Sequence, residues 1–113
     1  NGPLLAPEIS VVLNEEPSVA REIANKYMST YTRLPNYANN LKRFGFSEEE
    51  ITGHADRLMD AIVPRGSIDV IVARIKEHLD AGADHVCVQV LTGQPGQLPM
   101  KQWEELADAI KGL

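Results

Sequence analysis

The chain carries a single cysteine, Cys87, among its 113 residues. One thiol excludes an internal disulfide framework and offers no metal-ligand spacing. Positive charge is also short: 11 Lys and Arg stand against 16 Asp and Glu, for a net charge of −5. The only adjacent basic pair is Lys42-Arg43, so the clustered basic surface that nucleic acid needs is missing. No apolar run approaches the roughly 20 residues that cross a bilayer. The opening Asn1-Gly2-Pro3 has neither the basic region nor the hydrophobic core of a secretory signal. Aromatic residues are 5% of the chain, and Trp103 and the tyrosines fall at core-like positions, not on a stacking platform. A GxGxxG, a P-loop and a Ser/His/Asp arrangement are all absent. These absences leave a cytoplasmic protein without nucleic acid or membrane as the expectation.

What is present is the composition of a soluble globular domain, 43% hydrophobic and 24% charged. Its most informative stretch is SIDVIVARIKEHLDAGADHVCVQVL, residues 67–91. Ser67 is suited to cap a helix N-terminus. Ile68, Ile71, Val72, Ile75 and Leu79 fall on one helical face, and Gly82 supplies the permissive residue of a helix end. Val86–Leu91 is a nearly uninterrupted apolar run, the pattern of a strand buried on both faces of a parallel sheet. Within that strand Cys87 is expected to be a buried, inert thiol.

Other segments follow the same logic. Leu4–Leu13 contains a strand that Pro7 delays to Glu8 or Ile9. Pro17 suits a first helical position, and Val19, Ile23, Tyr27 and Tyr31 repeat every four residues in a helix to about Arg33. A second helix spans about Asn36 to Phe44 and Gly45 closes it. Ser47 and Glu50 form a capping box, so a short helix follows to about Gly53. Leu58, Met59, Ile62 and Val63 mark another helix, terminated by Pro64-Arg65-Gly66. After the loop 92–97, Pro99 starts a last helix with Trp103, Leu106, Ala107 and Ile110 on its buried side. His54 sits in a loop, where it either titrates near neutral pH as a functional group or, as lone loop histidines usually are, is simply solvated.

The expectation is therefore one helix-rich α/β segment over 1–113 with about two parallel strands. Two such strands cannot close a sheet, and each leaves a row of backbone donors and acceptors on its outer edge. The sequence reads as a piece of a larger α/β protein.

In order along the chain, LLAPEISVVL (4–13), LPNYANNLKRFGF (34–46), SEEEI (47–51) and GADHVCVQVL (82–91) resemble the C-terminal part of luciferase-like oxidoreductases. The nearest likeness is to the actinobacterial branch that uses the deazaflavin coenzyme F-420. The resemblance implies a (β/α)8 TIM-type barrel of roughly 250 or more residues, with this chain as its C-terminal segment. Residues 4–13 would be the seventh strand, 86–91 the eighth, and 34–63 a helical insertion near the barrel mouth. It implies hydride transfer or monooxygenation on a small-molecule substrate, with F-420 as cofactor or FMN in its place. The catalytic residues would lie on strands outside this chain. The isolated chain would then be inactive and bind no cofactor alone, and its partner would be the N-terminal remainder of the barrel.

Within such a barrel, side chains of a strand alternate between interior and helix layer. Val86, Val88 and Val90 share the helix-facing parity, while His85, Cys87, Gln89 and Leu91 point inward. Gln89, near the C-terminal end where barrel active sites lie, either faces a cofactor ring or bonds within the barrel. Asn14 and Glu15 fall just past the first strand: Asn14 is a cofactor-site candidate, and Glu15 either accepts a proton or favours the helix start. Gly93, in a loop with Gly96, offers backbone N–H groups to a cofactor phosphate, though the loop contains no Lys or Arg. Tyr37, Asn39 and Asn40 are candidates for substrate recognition, Tyr37 and Asn40 foremost; otherwise Tyr37 packs against Leu41. A different class is also open: a small non-catalytic α/β module that associates with a second copy through its strand edges.

Overall fold

The computed structural model describes residues 2–94 and 96–113. Asn1, and Pro95 in the loop 92–97, lie outside the described residues. Along the chain run β1 (Glu8–Leu13), α1 (Pro17–Tyr31), α2 (Pro35–Arg43), α3 (Glu48–Thr52), α4 (Asp56–Ile62), β2 (Arg65–Gly66), α5 (Ile68–Asp80), β3 (Cys87–Val90) and α6 (Met100–Ala109). Each helix boundary has a local cause. Pro17 and Pro35 sit in the first turns of α1 and α2, where a missing N–H costs nothing. Both halves of the Ser47/Glu50 capping box form, and the Ser67 hydroxyl accepts from the Val70 amide. At the end of α5, Gly82 takes φ +116°. Its N–H donates to the Leu79 carbonyl, and that of Ala83 to the His78 carbonyl, which satisfies carbonyls the helix would otherwise leave bare.

The three strands form one parallel sheet in the order β2-β1-β3. Residues Glu8 to Val11 pair with Cys87 to Val90 in register, and Val12 and Leu13 pair with Arg65 and Gly66 on the other side. The two-residue β2 escapes a reading that treats Pro64-Arg65-Gly66 purely as a helix terminator. It exists because the Pro64 carbonyl receives the Val12 amide at 3.0 Å, a contact across more than 50 residues that no local pattern announces.

Helices cover both faces of β1. Ile9 and Val11 join Ile71 and Ile75 of α5, Val90 and Leu106 in one apolar cluster. Val12 faces the opposite way, into a second cluster with Ala20, Ala24 and Met28 of α1, and Leu41, Ile51, Leu58, Met59 and Val63. The buried stripe of α1 is thus Ala20-Ala24-Met28. The four-residue repeat Val19-Ile23-Tyr27-Tyr31 lies one position off it, with Val19 41% exposed. Small alanines allow α1 to approach the sheet closely, whereas the larger residues beside them serve as flanks.

Two further expectations are corrected. In α6 only Leu106 is buried; Trp103 is 42% exposed, and Ala107 and Ile110 also face outward. β3 is not buried on both faces either. Its valine parity packs onto the α5–α6 cluster, but Cys87 and Gln89 are exposed, because α1 covers the other face only around Ser10, Val12 and Leu91. Cys87 is consequently an accessible thiol, not a buried one.

Both margins of the sheet are open. The Cys87 and Leu91 amides turn inward to the carbonyls of Pro7 (2.9 Å) and Val11 (2.8 Å). Alternation along a parallel strand then turns the backbone groups of Val88 and Val90 outward, where no described strand lies. On the far side of β1, β2 reaches only Val12 and Leu13.

Candidate functional site

The cleft nearest the predicted residues lies between α1 and the carboxyl end of β3. It is a space of about 310 Å³ lined by Ile23, Lys26, Tyr27, Gln89, Leu91, Thr92 and Gly93, among others. Parallel pairing places Ser10 directly beside Gln89. The Ser10 hydroxyl lies 3.0 Å from the Tyr27 hydroxyl and 3.5 Å from Gln89 Oε1. The Tyr27 hydroxyl accepts from Ser10, and burial pushes its phenol above its ordinary value of 10.

The loop after β3 lies close against α1 at Gly93. Gly93 has φ +79°, a conformation that side chains disfavour, and a Cβ there would stand 3.1 Å from Ile23 Cγ1, so that Ile23 would have to give way. With no side chain in the way, Lys26 Nζ donates to the Gly93 carbonyl at 3.0 Å. Thr92 Oγ1 accepts from the Gln94 amide (3.2 Å) and donates to the Gln94 carbonyl (3.1 Å), fixing the turn.

Gln89 and Gly93 are therefore together, and the other candidates are elsewhere. Asn14 lies at the carboxyl end of β1, in a separate crevice of about 380 Å³ with Glu15, Arg21, Asp56, Asp60 and Arg65. Its side chain accepts from the Glu16 amide at 2.9 Å, leading the chain into α1. Tyr37 is joined to Tyr27 only through Tyr31, with ring centroids 5.3 Å and 4.8 Å apart. Asn39 and Asn40 are exposed on α2, away from the cleft.

Sequence reasoning passed over Ser10, Lys26 and Tyr27. A hydroxyl inside the apolar run Ile9–Leu13 was the available signal for Ser10. Tyr27 was masked by its place in a helical repeat. Lys26 had no local signal, since its partner is 67 residues away.

His54 is a further correction. It is 7% exposed, not solvated, and adopts φ +48°, uncommon for a residue with a side chain. Its Nδ1 bonds Asn25 Oδ1 on α1, and Nε2 lies 2.9 Å from Thr32 Oγ1 at the α1 C-cap. Burial, with the charge of Arg21 adding to it, holds its pKa below the usual 6.5. Two hydrogen bonds offset the desolvation of the ring, so His54 ties the α3–α4 turn to α1.

Among the described residues no group of three or more His, Cys, Asp or Glu is placed to hold a metal ion, and no helix is long and apolar enough to cross a membrane. Comparison of the chain with family models, curated proteins and solved structures gives no match.

Proposed function

We propose that this chain is the C-terminal part of a luciferase-like oxidoreductase that uses coenzyme F-420, or FMN in its place, to transfer hydride or activate oxygen on a small organic substrate. The observation that carries the reading is β3. It has the composition of a fully buried strand, yet one face and one edge are bare. In a barrel that face is the interior and that edge receives the next strand. Gln89 then points inward near the carboxyl end of the strand, beside Ser10 of the neighbouring strand. The cofactor supplies the redox chemistry and the protein its orientation. A closed barrel keeps its helices outside, so the reading requires α1 to leave the Ser10–Val12 face when the remaining strands are in place.

Cofactor titration tests this. The isolated chain should leave the absorbance of F-420 and of FMN unchanged, while the chain joined to complementary barrel strands should bind one of them. Saturable binding of either by the isolated chain, or a parent gene without further βα units, overturns the proposal.

The open edge of β3 also favours a second reading, a non-catalytic module whose edges pair with a second copy. A concentration-dependent dimer in sedimentation, with the Val88 and Val90 amides protected from exchange, selects it.

A further inference from the structure

One stretch departs from the acidic character of the chain. Between Glu22 and Glu48 there is no Asp or Glu, whereas Lys26, Arg33, Lys42 and Arg43 all occur there. All three tyrosines and both phenylalanines fall in the same stretch. Its cations are also poorly matched. Lys42 reaches Glu48 at 3.9 Å, and neither Arg33 nor Arg43 has a carboxylate partner among the described residues.

The fold presents these groups on α2. Leu41 is buried and Ala38 partly so, which turns the opposite side of the helix to solvent. Tyr37 and Phe44 are seven residues apart and so lie along one flank. Phe44 is 71% exposed and Leu34, at the N-cap, 46%. Arg33 stands before the first turn and Arg43 in the last, and between them Asn39 and Asn40 are exposed. Single exposed apolar residues are ordinary, but three on one short helix flanked by unpaired arginines form a patch. Tyr37 is already held, its ring centroid 5.3 Å from that of Tyr31, so ordering it on binding costs little.

We infer that the outer face of α2 docks an acidic protein segment with an apolar side chain between its carboxylates. Arg33 and Arg43 pair with carboxylates at either end, and Tyr37 and Phe44 cover the apolar side chain. The arginines are ten positions apart, about 15 Å along a helix, which is the span of about five extended residues. Aromatic and arginine anchors beside adaptable asparagine amides make a protein-binding surface. A lipid surface would have to strip water from those amides, and nucleic acid takes a wider array of cations. None of these residues lines the cleft beside β3 or belongs to the sheet, so the inference holds wherever α1 sits against the sheet. It also stands apart from the oxidoreductase reading, because no cofactor takes part.

The experiment is fluorescence anisotropy of a short labelled peptide, with glutamates at both ends and Leu-Phe-Leu between, titrated with the chain. Binding should saturate and weaken as salt rises. The double reversal Arg33→Glu with Arg43→Glu should weaken it roughly tenfold, and Phe44→Ser roughly fivefold. Lys101→Glu, the same change of charge away from α2, should leave it unaltered. All four residues are exposed, and unchanged thermal melts will show that the variants fold. The same peptide with lysines in place of glutamates should not bind. The inference is overturned by an absence of saturable binding, by binding that survives the double reversal, or by an equal loss in Lys101→Glu. Tighter binding to phosphatidylserine vesicles or to a thymidine oligonucleotide overturns it as well.

Discussion

Arg57 holds both carboxylate oxygens of Glu50, Nε to Oε2 at 2.7 Å and the guanidinium Nη2 to Oε1 at 2.8 Å, while Glu50 Oε1 also accepts from the Ser47 amide at 3.0 Å. The same guanidinium lies 4.3 Å from the centroid of the Phe46 ring. One residue of α4 thereby fastens the α2–α3 turn. The pair lowers the Glu50 pKa from 4.5 to about 2, the Arg57 hydrogen bond being the main cause and the Ser47 amide the next.

A carboxylate whose pKa falls on folding stabilises the fold above its unfolded value, and that contribution disappears as pH drops toward the folded one. The stability difference between the native chain and Glu50→Gln should be constant above about pH 5 and shrink between 4.5 and about 2. Urea midpoints measured across that window check it; a difference independent of pH would refute the assignment.

His54 gives the complementary case. Its folded pKa lies below 6.5, so the unfolded chain takes up its proton first on acidification. Stability tied to the neutral ring is complete above about 6.5 and declines as pH falls from there toward the folded value. The melting temperature of the native chain should drop across this interval more steeply than that of His54→Gln. The imidazole C–H resonance should titrate below 6.5.

Cys87 should react with a thiol reagent in the folded chain. Its exposure predicts labelling of native protein at a rate close to that of the urea-unfolded chain. Protection by a hundredfold or more would place the thiol in a closed core instead.

The core near α4 predicts the largest losses. Leu58 and Met59 are fully buried against Met28 and Val63, so Leu58→Ala or Met59→Ala should cost about 2–5 kcal/mol. Gly82→Ala meets no neighbour within 4 Å, yet should cost about 1 kcal/mol because of its positive φ. Chemical denaturation measures both.

Local chemistry was legible in the sequence. Ser47, Ser67, Pro17, Gly45 and Gly82 mark helix ends through interactions within a few residues, and each sits at the predicted end. The parity of Val86, Val88 and Val90 was legible for the same reason, since alternation is a backbone property. What escaped depends on distant partners. Arg65 and Gly66 become a strand because β1 lies beside them. His54 is buried because Asn25 and Thr32 receive it. Apolar content predicted a doubly covered β3, but burial requires a covering element, and among the described residues none reaches Cys87. In the cleft, Gln89 and Gly93 were readable from the strand and its loop, whereas Lys26 was joined to them only by the fold.

Placing β1 between β2 and β3 has a consequence for biosynthesis. Of the three described strands the central one is synthesised first, and the neighbour that pairs along most of its length follows 79 residues later. Until then Ile9 and Val11 lack their partners in β3, and β2 reaches only Val12 and Leu13. Such sequence-distant pairing slows folding and lengthens the time an apolar strand spends unprotected. A nascent chain halted before Cys87 should therefore be a target for chaperones.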